Sequence, residues 1–352
     1  MGAEIVEGVQ IGRYTLLTRL ARGGMANVWL ARADGAGGFQ KIVVIKTILP
    51  HLADDPEFVS MFIDEALVAS KLEHPNIVQI FDLGEVGGSY FIAMEYIAGH
   101  TLRQVQRELR KTHRVLPPWL VLHVASATCE GLTYAHTLKD DMGHPVALVH
   151  RDISPENIMV SVAGETKILD FGIAKASNVA SKTQVGVLKG KYAYMAPEQI
   201  EGSLAGSPPD ARADVYSLGV LMYELITGRR PYRADNELAL MRLILGGQAA
   251  PPHDFCNWVS SSLSALVMKA MAANPEQRFL STRELRLAID DYFRAVPSAP
   301  NNRNVADYLR SLFGEPSEEL SRLGSRAPAD GSRDSTDPWD TDSVVSGLVN
   351  SV

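Results

Sequence analysis

The chain has 352 residues, of which 46% are hydrophobic and 21% charged, as is typical of a folded globular protein long enough for two lobes. Its net charge is −7, and the segment after Gly314 holds eight acidic residues against three arginines, so the rest is nearly balanced and nucleic-acid binding is not expected. Cys129 and Cys256 are too few for a disulfide framework, and no apolar run approaches about 18 residues, so we predict a cytoplasmic protein without a membrane span.

The N-terminal part of the chain predicts a series of strands. Residues 1–10 are expected to be an extension, and Ile11–Leu20 alternates weakly as a first strand. A glycine-rich turn then leads into a second strand. The small residues of the turn are Ala21, Gly23, Gly24 and Ala26, and Val28 follows them in the strand. Taken alone, this turn predicts only a hairpin.

A lysine and a glutamate follow at a suggestive spacing. The β-branched run Ile42–Lys46 predicts a strand that ends in the lysine. Asp55, followed by a proline, predicts the start of a helix. Glu65 comes nineteen residues after Lys46 and lies among the apolar positions of that helix. Further on, Tyr90–Ile97 predicts a strand that continues into a linker.

The sequence His-Arg-Asp-Ile-Ser-Pro-Glu-Asn at 150–157 predicts a loop, because Pro155 disfavours helix for itself and its predecessor. Asp152 and Asn157 lie five residues apart on this loop. The carboxylate can orient a hydroxyl group, and the amide oxygen can bind Mg²⁺. Eighteen residues after Asp152, an apolar strand is predicted to end in Asp170, which offers a second oxygen ligand.

The pattern H-R-D-x-x-x-x-N followed by Asp170-Phe171-Gly172 resembles the signature of protein kinases. Over roughly residues 11–294, the chain is similar to the eukaryotic-like (Hanks-type) Ser/Thr protein kinases of bacteria. This resemblance implies an α+β, bilobal protein-kinase fold. The implied segments are an N-lobe of antiparallel sheet plus one helix at 11–96, a hinge and mostly helical C-lobe at 97–294, a short helical extension at 295–314 and an acidic, Ser/Asp-rich disordered tail at 315–352.

The resemblance also implies an activity: transfer of the γ-phosphoryl group of ATP to protein hydroxyls, with Mg²⁺ or alternatively Mn²⁺. In this activity Asp152 orients and deprotonates the acceptor hydroxyl, and Lys46, held by Glu65, neutralises the phosphates. Asn157 and Asp170 bind the metal. The implied nucleotide-binding residues are Ala21, Gly23, Gly24, Val28, Val44, Lys46, Met94, Glu95, Ile97, Met159 and Asp170.

Six further residues are implied to shape the site without reacting. They are His150, Arg151, Phe171, Glu198, Asp214 and Arg278. Asp214 is expected to bond the backbone around His150 and Arg151, because a lone carboxylate in an apolar helix would be costly. Arg278 is expected to pair with Glu198.

The segment Ile173–Met195 corresponds to the activation segment of the family and is rich in Ser, Thr, Gly and Lys. Its candidate phosphorylation sites are Ser177, Ser181 and Thr183, of which we favour Thr183. Arg151 offers a guanidinium group that could bind the added phosphate with two hydrogen bonds. The resemblance therefore implies regulation by (auto)phosphorylation.

Two departures from the family pattern occur together. Ser154 stands where Ser/Thr kinases usually have a lysine that touches the γ-phosphate, and Lys191 stands where they usually have a threonine. Because the family places these two side chains close together, we predict that the hydroxyl and ammonium groups have exchanged positions. The outer two glycines of the glycine-rich turn are also replaced, by Ala21 and Ala26.

These departures leave alternatives open. A pseudokinase or weakly active nucleotide-binding scaffold is the main one, and a preference for tyrosine over Ser/Thr is not decided by the residues. A small-molecule phosphotransferase is disfavoured because Glu198, Asp214 and Arg278 belong to the platform for protein substrates. A purely structural protein is supported only by the acidic tail, which could bind a partner of its own.

Overall fold

A computed structural model of the chain describes residues 7–23, 25–171, 191–205, 209–295 and 300–315. The described residues form two compact units. One contains those up to Glu73, together with Val78–Ala98 and residues 313–315, and the other contains His74–Ile77 and those from Gly99 to Leu312. Within the described ranges, no helix is both long and apolar enough to cross a membrane.

The first unit contains an antiparallel sheet with the strand order β1-β2-β3-β4-β6-β5. The strands are β1 (Gln10–Ile11), β2 (Tyr14–Arg22), β3 (Ala26–Asp34), β4 (Gln40–Ile48), β5 (Ile80–Val86) and β6 (Ser89–Glu95). In β4, the β-branched residues Val43 and Ile45 are almost fully buried and pack with Trp29 into a core cluster. This packing fixes the register of β4 and so the position of Lys46.

Helix α1 (Pro56–Ala69) lies in the same unit. Its start is set by Asp55, whose side chain accepts a hydrogen bond from the backbone N–H of Glu57, and by the proline at its first position. The helix buries Met61, Phe62 and two alanines and packs on β5 and β6. Burial of this face orients the rest of the helix, including Glu65.

The second unit is mostly helical. Its helices are α2 (Leu102–Lys111), α3 (Pro118–His136), α4 (Pro197–Ala205), α5 (Arg212–Thr227), α6 (Glu237–Gly246), α7 (Ser261–Ala270), α8 (Thr282–Arg294) and α9 (Asn302–Phe313). A small antiparallel sheet has the order β7-β8-β9, formed by β7 (Gly99–Thr101), β8 (Ile158–Ser161) and β9 (Thr166–Ile168).

Helix α5 forms the centre of this unit and is buried from Ala213 to Thr227. It contacts α3, α7 and α8. At Gly219, an added Cβ would lie 2.9 Å from the Cβ of Ala270, so the absence of a side chain lets α5 and α7 approach closely. A helix enclosed in this way can hold a polar side chain rigidly against a neighbouring loop.

Several predicted elements differ from the structure at their ends. The strand predicted to end in Lys46 continues to Ile48, and the strand predicted at Tyr90–Ile97 is Ser89–Glu95. The strand predicted to run into Asp170 ends at Ile168, because Asp170 has a φ of 37° and so leaves the extended conformation. Within the helical extension predicted at 295–314, the helix begins at Asn302. Asn304 and Asn301 cap each other's backbone there, a local signal that apolar periodicity does not detect.

Candidate active site

The loop between α3 and β8 brings Asp152 and Asn157 together. The side-chain nitrogen of Asn157 donates to the backbone oxygen of Asp152 at 2.8 Å and to its Oδ2 at 2.9 Å. The backbone N–H of Asn157 also donates to the carbonyl of Ser154 at 3.0 Å, which closes the turn. Since its amide nitrogen faces Asp152, the amide oxygen of Asn157 is the atom left to bind a cation.

Asp214, at the start of α5, fixes the backbone of this loop. Its Oδ2 accepts from the N–H of His150 and its Oδ1 from the N–H of Arg151, both at 2.8 Å. His136 Nε2 also lies 2.8 Å from Oδ2. Burial would raise the pKa of the Asp214 carboxyl, but the bonds with His136 and with the backbone of His150 hold it below its usual value. Asp214 therefore stays charged and holds Arg151 at a φ of 64°.

Asp170 is tied to the same loop through its neighbours. The N–H of Leu169 donates to the carbonyl of Asn157 at 2.8 Å, and His150 Nε2 lies 2.9 Å from the carbonyl of Leu169. The ring of Phe171 packs on that of His150 with 4.8 Å between centroids. These contacts link the two predicted metal ligands, Asn157 and Asp170, through backbone that is itself fixed.

The donor chemistry fits a magnesium ion. In the described ranges, no group of three or more His, Cys, Asp or Glu side chains could enclose a metal. Mg²⁺, however, is usually bound in such sites by one or two protein groups together with substrate phosphates and water. The carboxylate of Asp170 and the amide oxygen of Asn157 are oxygen donors of the required kind.

In the first unit, Lys46 and Glu65 form an ion pair. Lys46 Nζ lies 3.0 Å from Glu65 Oε1, and both side chains are largely buried, at 14% and 15% exposure. Their partial burial favours a defined geometry, since fewer water molecules compete for the charges. The ammonium group of Lys46 is thereby held toward α1, and in the sheet Lys46 is the cross-strand partner of Val28 in β3.

Some of the predicted nucleotide-binding residues lie at the turn between β2 and β3, and others lie in or just after the strands β4, β6 and β8. Ala21 and Gly23 are exposed at the β2–β3 turn, where Gly23 N–H donates to the carbonyl of Ala26 at 2.9 Å, and Gly24 lies outside the described residues. Val44 of β4 pairs with Met94 of β6. The others are Glu95 at the end of β6, the buried Ile97 just after it, and Met159 on β8 in the second unit.

Arg278 and Glu198 form a buried, two-pronged pair. The two terminal nitrogens of Arg278 donate to the two carboxylate oxygens of Glu198 at 2.6 and 2.7 Å. Arg278 also donates to the backbone carbonyls of Arg212, Ala272 and Ala273, so its charge is fully bonded although the side chain is 0% exposed. The pair fixes the start of α4 to the loop before α8.

Some predicted residues cannot be placed. Ser177, Ser181 and Thr183 lie outside the described residues, as does the side chain of Lys191. Ser154 is buried at 9% exposure, and its exchange with Lys191 stays a prediction.

Arg103 and Glu224 were not indicated by the sequence patterns, and Arg103 contacts the loop that holds Asp152 and Asn157. Arg103 Nε lies 2.7 Å from Glu156 Oε1, and its backbone N–H donates to the carbonyl of Pro155 at 2.9 Å. Glu224 is 2% exposed on α5 and accepts a hydrogen bond from Tyr194. An acid among the apolar residues of a buried helix was the available signal for Glu224, the same signal that identified Asp214.

A loop that carries an aspartate and an asparagine five positions apart, linked to the aspartate of an Asp-Phe-Gly segment, is the arrangement that protein kinases use for phosphoryl transfer. The family comparison agrees with the geometry, because residues 14–287 match the protein kinase domain. The chain therefore belongs to the protein kinase family, as the sequence motifs predicted.

Several bacterial kinases are similar to this chain. Over 304 residues it is 42% identical to a protein of Myxococcus xanthus named tyrosine-protein kinase MasK, covering 86% of this chain and 46% of the relative. Over 301 residues it is 36% identical to serine/threonine-protein kinase PknB of Mycobacterium leprae, covering 84% of this chain and 45% of the relative. The chain thus spans about half the length of the curated relatives it matches.

Solved structures give the same result for the fold. The kinase domain of PknI from Mycobacterium tuberculosis superposes with a TM-score of 0.61 at 29% sequence identity. The match covers 83% of this chain and 100% of that domain. The predicted protein-kinase fold is confirmed.

Proposed function

We propose that the chain is an ATP-dependent protein kinase that transfers the γ-phosphoryl group to serine or threonine hydroxyls of proteins. The observation that best supports the proposal is the pair formed by Asp152 and Asn157, linked through Leu169 to Asp170. Asp152 then contributes a carboxylate for a hydroxyl, and Asn157 and Asp170 contribute two oxygen donors for a cation. Family membership supports the same activity.

Each group has a distinct role in this proposal. Asp152 orients the acceptor hydroxyl and accepts its proton. Lys46, positioned by Glu65, neutralises charge on the phosphates. Asn157 and Asp170 hold the divalent cation, for which we propose Mg²⁺, and the cation supplies further neutralisation of the charge that develops during transfer. Positioning and electrostatic stabilisation carry most of the catalysis in such reactions.

Tyrosine is the second candidate acceptor. One relative at 42% identity is named a tyrosine-protein kinase, whereas others are named serine/threonine kinases. In addition, the lysine that Ser/Thr kinases usually have two residues after the catalytic aspartate is Ser154 here. We favour Ser/Thr because the remaining pattern resembles that group.

We also propose that phosphorylation of the activation segment regulates the activity, with Thr183 as the favoured site. Arg151 is the group that would bind the phosphate. Its Nε is buried and has no hydrogen-bond partner among the described residues, so a guanidinium donor is available next to the catalytic loop. A cytoplasmic location and a partner for the acidic tail stay predictions.

The activity is tested by incubating the full chain with radiolabelled ATP and Mg²⁺. We expect the wild type to label itself, and we expect Asp152→Ala to reduce labelling by at least about 100-fold, the contribution of a positioned acid–base group. Asp141→Ala, which changes an exposed aspartate, is the matched control. Phosphopeptide mass spectrometry then identifies the acceptor residues. Binding of Mg-ATP without any labelling would favour the pseudokinase alternative.

The exchange of Ser154 and Lys191 has its own test. We expect Lys191→Ala to lower kcat because the ammonium group that neutralises the γ-phosphate would be lost. Lys46→Ala serves as the reference for complete loss. If Lys191→Ala left turnover unchanged while Lys46→Ala abolished it, the exchange would be wrong.

A further inference from the structure

An arginine bridges two acidic side chains beside the catalytic loop. Helix α2 begins after Thr101, whose hydroxyl accepts from the N–H of Gln104 in a capping box, and this start places Arg103 in the first turn. Arg103 Nε lies 2.7 Å from Glu156 Oε1, and Arg103 Nη1 lies 4.0 Å from Glu224 Oε1. Glu156 is only four residues beyond Asp152. The guanidinium group thus occupies the position that a basic side chain of a substrate would need in order to reach these acids.

Glu224 is more than neutralised by its surroundings. Besides Arg103, the guanidinium groups of Arg110 and Arg230 lie 3.5 and 3.8 Å from Glu224 Oε1. Tyr194 also donates its hydroxyl to Glu224 and is covered by Arg230, with 5.8 Å between the guanidinium carbon and the ring centroid. One buried acid therefore has three arginines around it, and the excess charge is positive.

The excess of positive charge continues into a cavity. A cavity of about 330 Å³ lies between α2, the loop that follows it and the end of α5, and Glu224 is the one acidic residue in its lining. The lining also contains Arg110, Arg114, Arg229 and His113. Arg110 is 63% exposed, so part of this charge faces solvent. A partner segment that carries acidic residues would find an excess of positive charge here.

These charges adjoin the segment just before α4. The family resemblance implies that Tyr194–Glu198, whose last two residues begin α4, faces the substrate. Arg103 Nη2 lies 3.4 Å from the hydroxyl of Tyr194. A hydroxyl group that reaches Asp152 brings the neighbouring residues of its own chain close to Glu156 and Arg103.

We propose that Arg103, with Arg110 and Arg230, determines substrate choice, so that the kinase prefers protein segments with acidic residues near the acceptor hydroxyl and rejects basic ones. The proposal rests on the kinase activity proposed above and names its substrate class. A basic side chain must displace Arg103 from Glu156 or lie next to like charge, whereas an acidic side chain is attracted to the excess positive charge of the three arginines, of which Arg110 is the exposed one.

The test uses the full chain, Mg-ATP and three peptides that share one acceptor and differ only in having aspartate, glutamine or arginine around it. We expect kcat/KM to be highest for the aspartate peptide and lowest for the arginine peptide, with about tenfold between these extremes. The difference should be in KM, because the charges act on binding. Added salt should raise KM for the aspartate peptide and leave KM for the glutamine peptide unchanged.

Arg103→Gln should lower KM for the arginine peptide and so reduce the ratio between the extremes to about twofold, as expected when one charge pair is opened. Arg107→Gln removes an exposed arginine one turn further along α2 and is the matched control, for which the ratio should stay unchanged. A melting curve would reveal whether Arg103→Gln unfolds. If it does, the order of kcat/KM for the three peptides with the wild type, and the effect of salt on it, still test the proposed substrate preference.

The two proposals fail in different ways. Equal kcat/KM for the three peptides, or equal effects of the two substitutions, would overturn the substrate preference alone. If neither the peptides nor the chain itself were phosphorylated, the kinase activity proposed above would be overturned as well.

Discussion

One carboxylate, that of Asp214, controls the backbone on which the proposed chemistry depends. Arg151 has a φ of 64°, a left-handed conformation that costs a residue with a Cβ about 1–2 kcal/mol. Two hydrogen bonds from the backbone of His150 and Arg151 to Asp214 offset this cost. The side chain has 0% exposure, so water cannot replace either bond.

We therefore predict that Asp214→Asn destabilises the protein by about 3–5 kcal/mol, the usual effect of removing one partner from a buried charged network. An asparagine has one side-chain oxygen in place of two, and its NH₂ group would face an N–H donor. Urea unfolding at neutral pH measures the loss. Asp291→Asn, which changes a 67%-exposed aspartate on α8, should alter stability by less than about 1 kcal/mol.

The wild type and Asp214→Asn can also be compared in their stability at different pH values. Because the pKa of Asp214 is lower in the folded than in the unfolded protein, its contribution to stability is complete above the unfolded pKa of about 4 and is lost as the pH falls through the folded pKa. The difference in stability between wild type and Asp214→Asn should therefore shrink below about pH 4. A difference that stayed constant down to the acid limit would contradict the charged state assigned to Asp214.

At the scale of elements, helix α9 is held against the hairpin of β8 and β9, which follows the loop of Asp152 and Asn157. Gly164, in the turn between β8 and β9, has a φ of 85°, and an added Cβ there would lie 1.9 Å from the backbone oxygen of Asn302. Asn302 also bonds His123 of α3 at 3.0 Å, and Tyr308 packs on Trp119. The helix lies beyond residues 14–287, the range that matches the family, yet it contacts the hairpin directly.

We predict that Gly164→Ala weakens this contact. Gly143→Ala is a close control, because Gly143 has a φ of 83° and open space around the position of a Cβ. Both changes carry the cost of a left-handed conformation, but only Gly164→Ala adds a steric collision. Gly164→Ala should therefore lower the free energy of unfolding by about 1–3 kcal/mol more than Gly143→Ala does. Urea unfolding measures the difference, and hydrogen exchange should show faster exchange in α9. Equal losses for the two variants would mean that α9 is not held by this turn.

At the scale of the whole molecule, the sequence predicted best what depends on local order along the chain. The cap at Asp55, the burial of one face of α1 and the strand that contains Lys46 follow from patterns within a few residues of each other. The kinase fold followed from the order of motifs, which is a property of the family and not of any single element. The pair of Glu198 and Arg278, eighty positions apart, was expected only because the resemblance implies it.

What the sequence did not predict depends on contacts between distant residues. Arg103 and Glu156 are separated by 53 positions, and both are charged residues of a kind that is usually solvated. Periodicity reports which face of an element is buried and cannot report which element covers it. The contact of Gly164 with Asn302 is of the same kind, since a glycine in a turn is expected whether or not a helix lies against it.

A ligand that binds only the folded protein must raise its stability, so nucleotide binding should be visible in the melting of the whole chain. We predict that ATP with Mg²⁺, at about 100 times its Kd, adds about 2.7 kcal/mol of stability, and that chelating the metal removes most of this gain.

Asp170→Asn should abolish the part of this gain that depends on metal, because it removes the charged oxygen ligand that acts together with Asn157 in the proposed site. Glu165→Gln, an exposed acid in the neighbouring turn, should keep it. Thermal unfolding with ATP, with ATP plus Mg²⁺ and with ATP plus EDTA distinguishes these outcomes. An equal metal-dependent gain in Asp170→Asn would remove Asp170 from the metal site, whereas the absence of any gain in the wild type would contradict nucleotide binding itself.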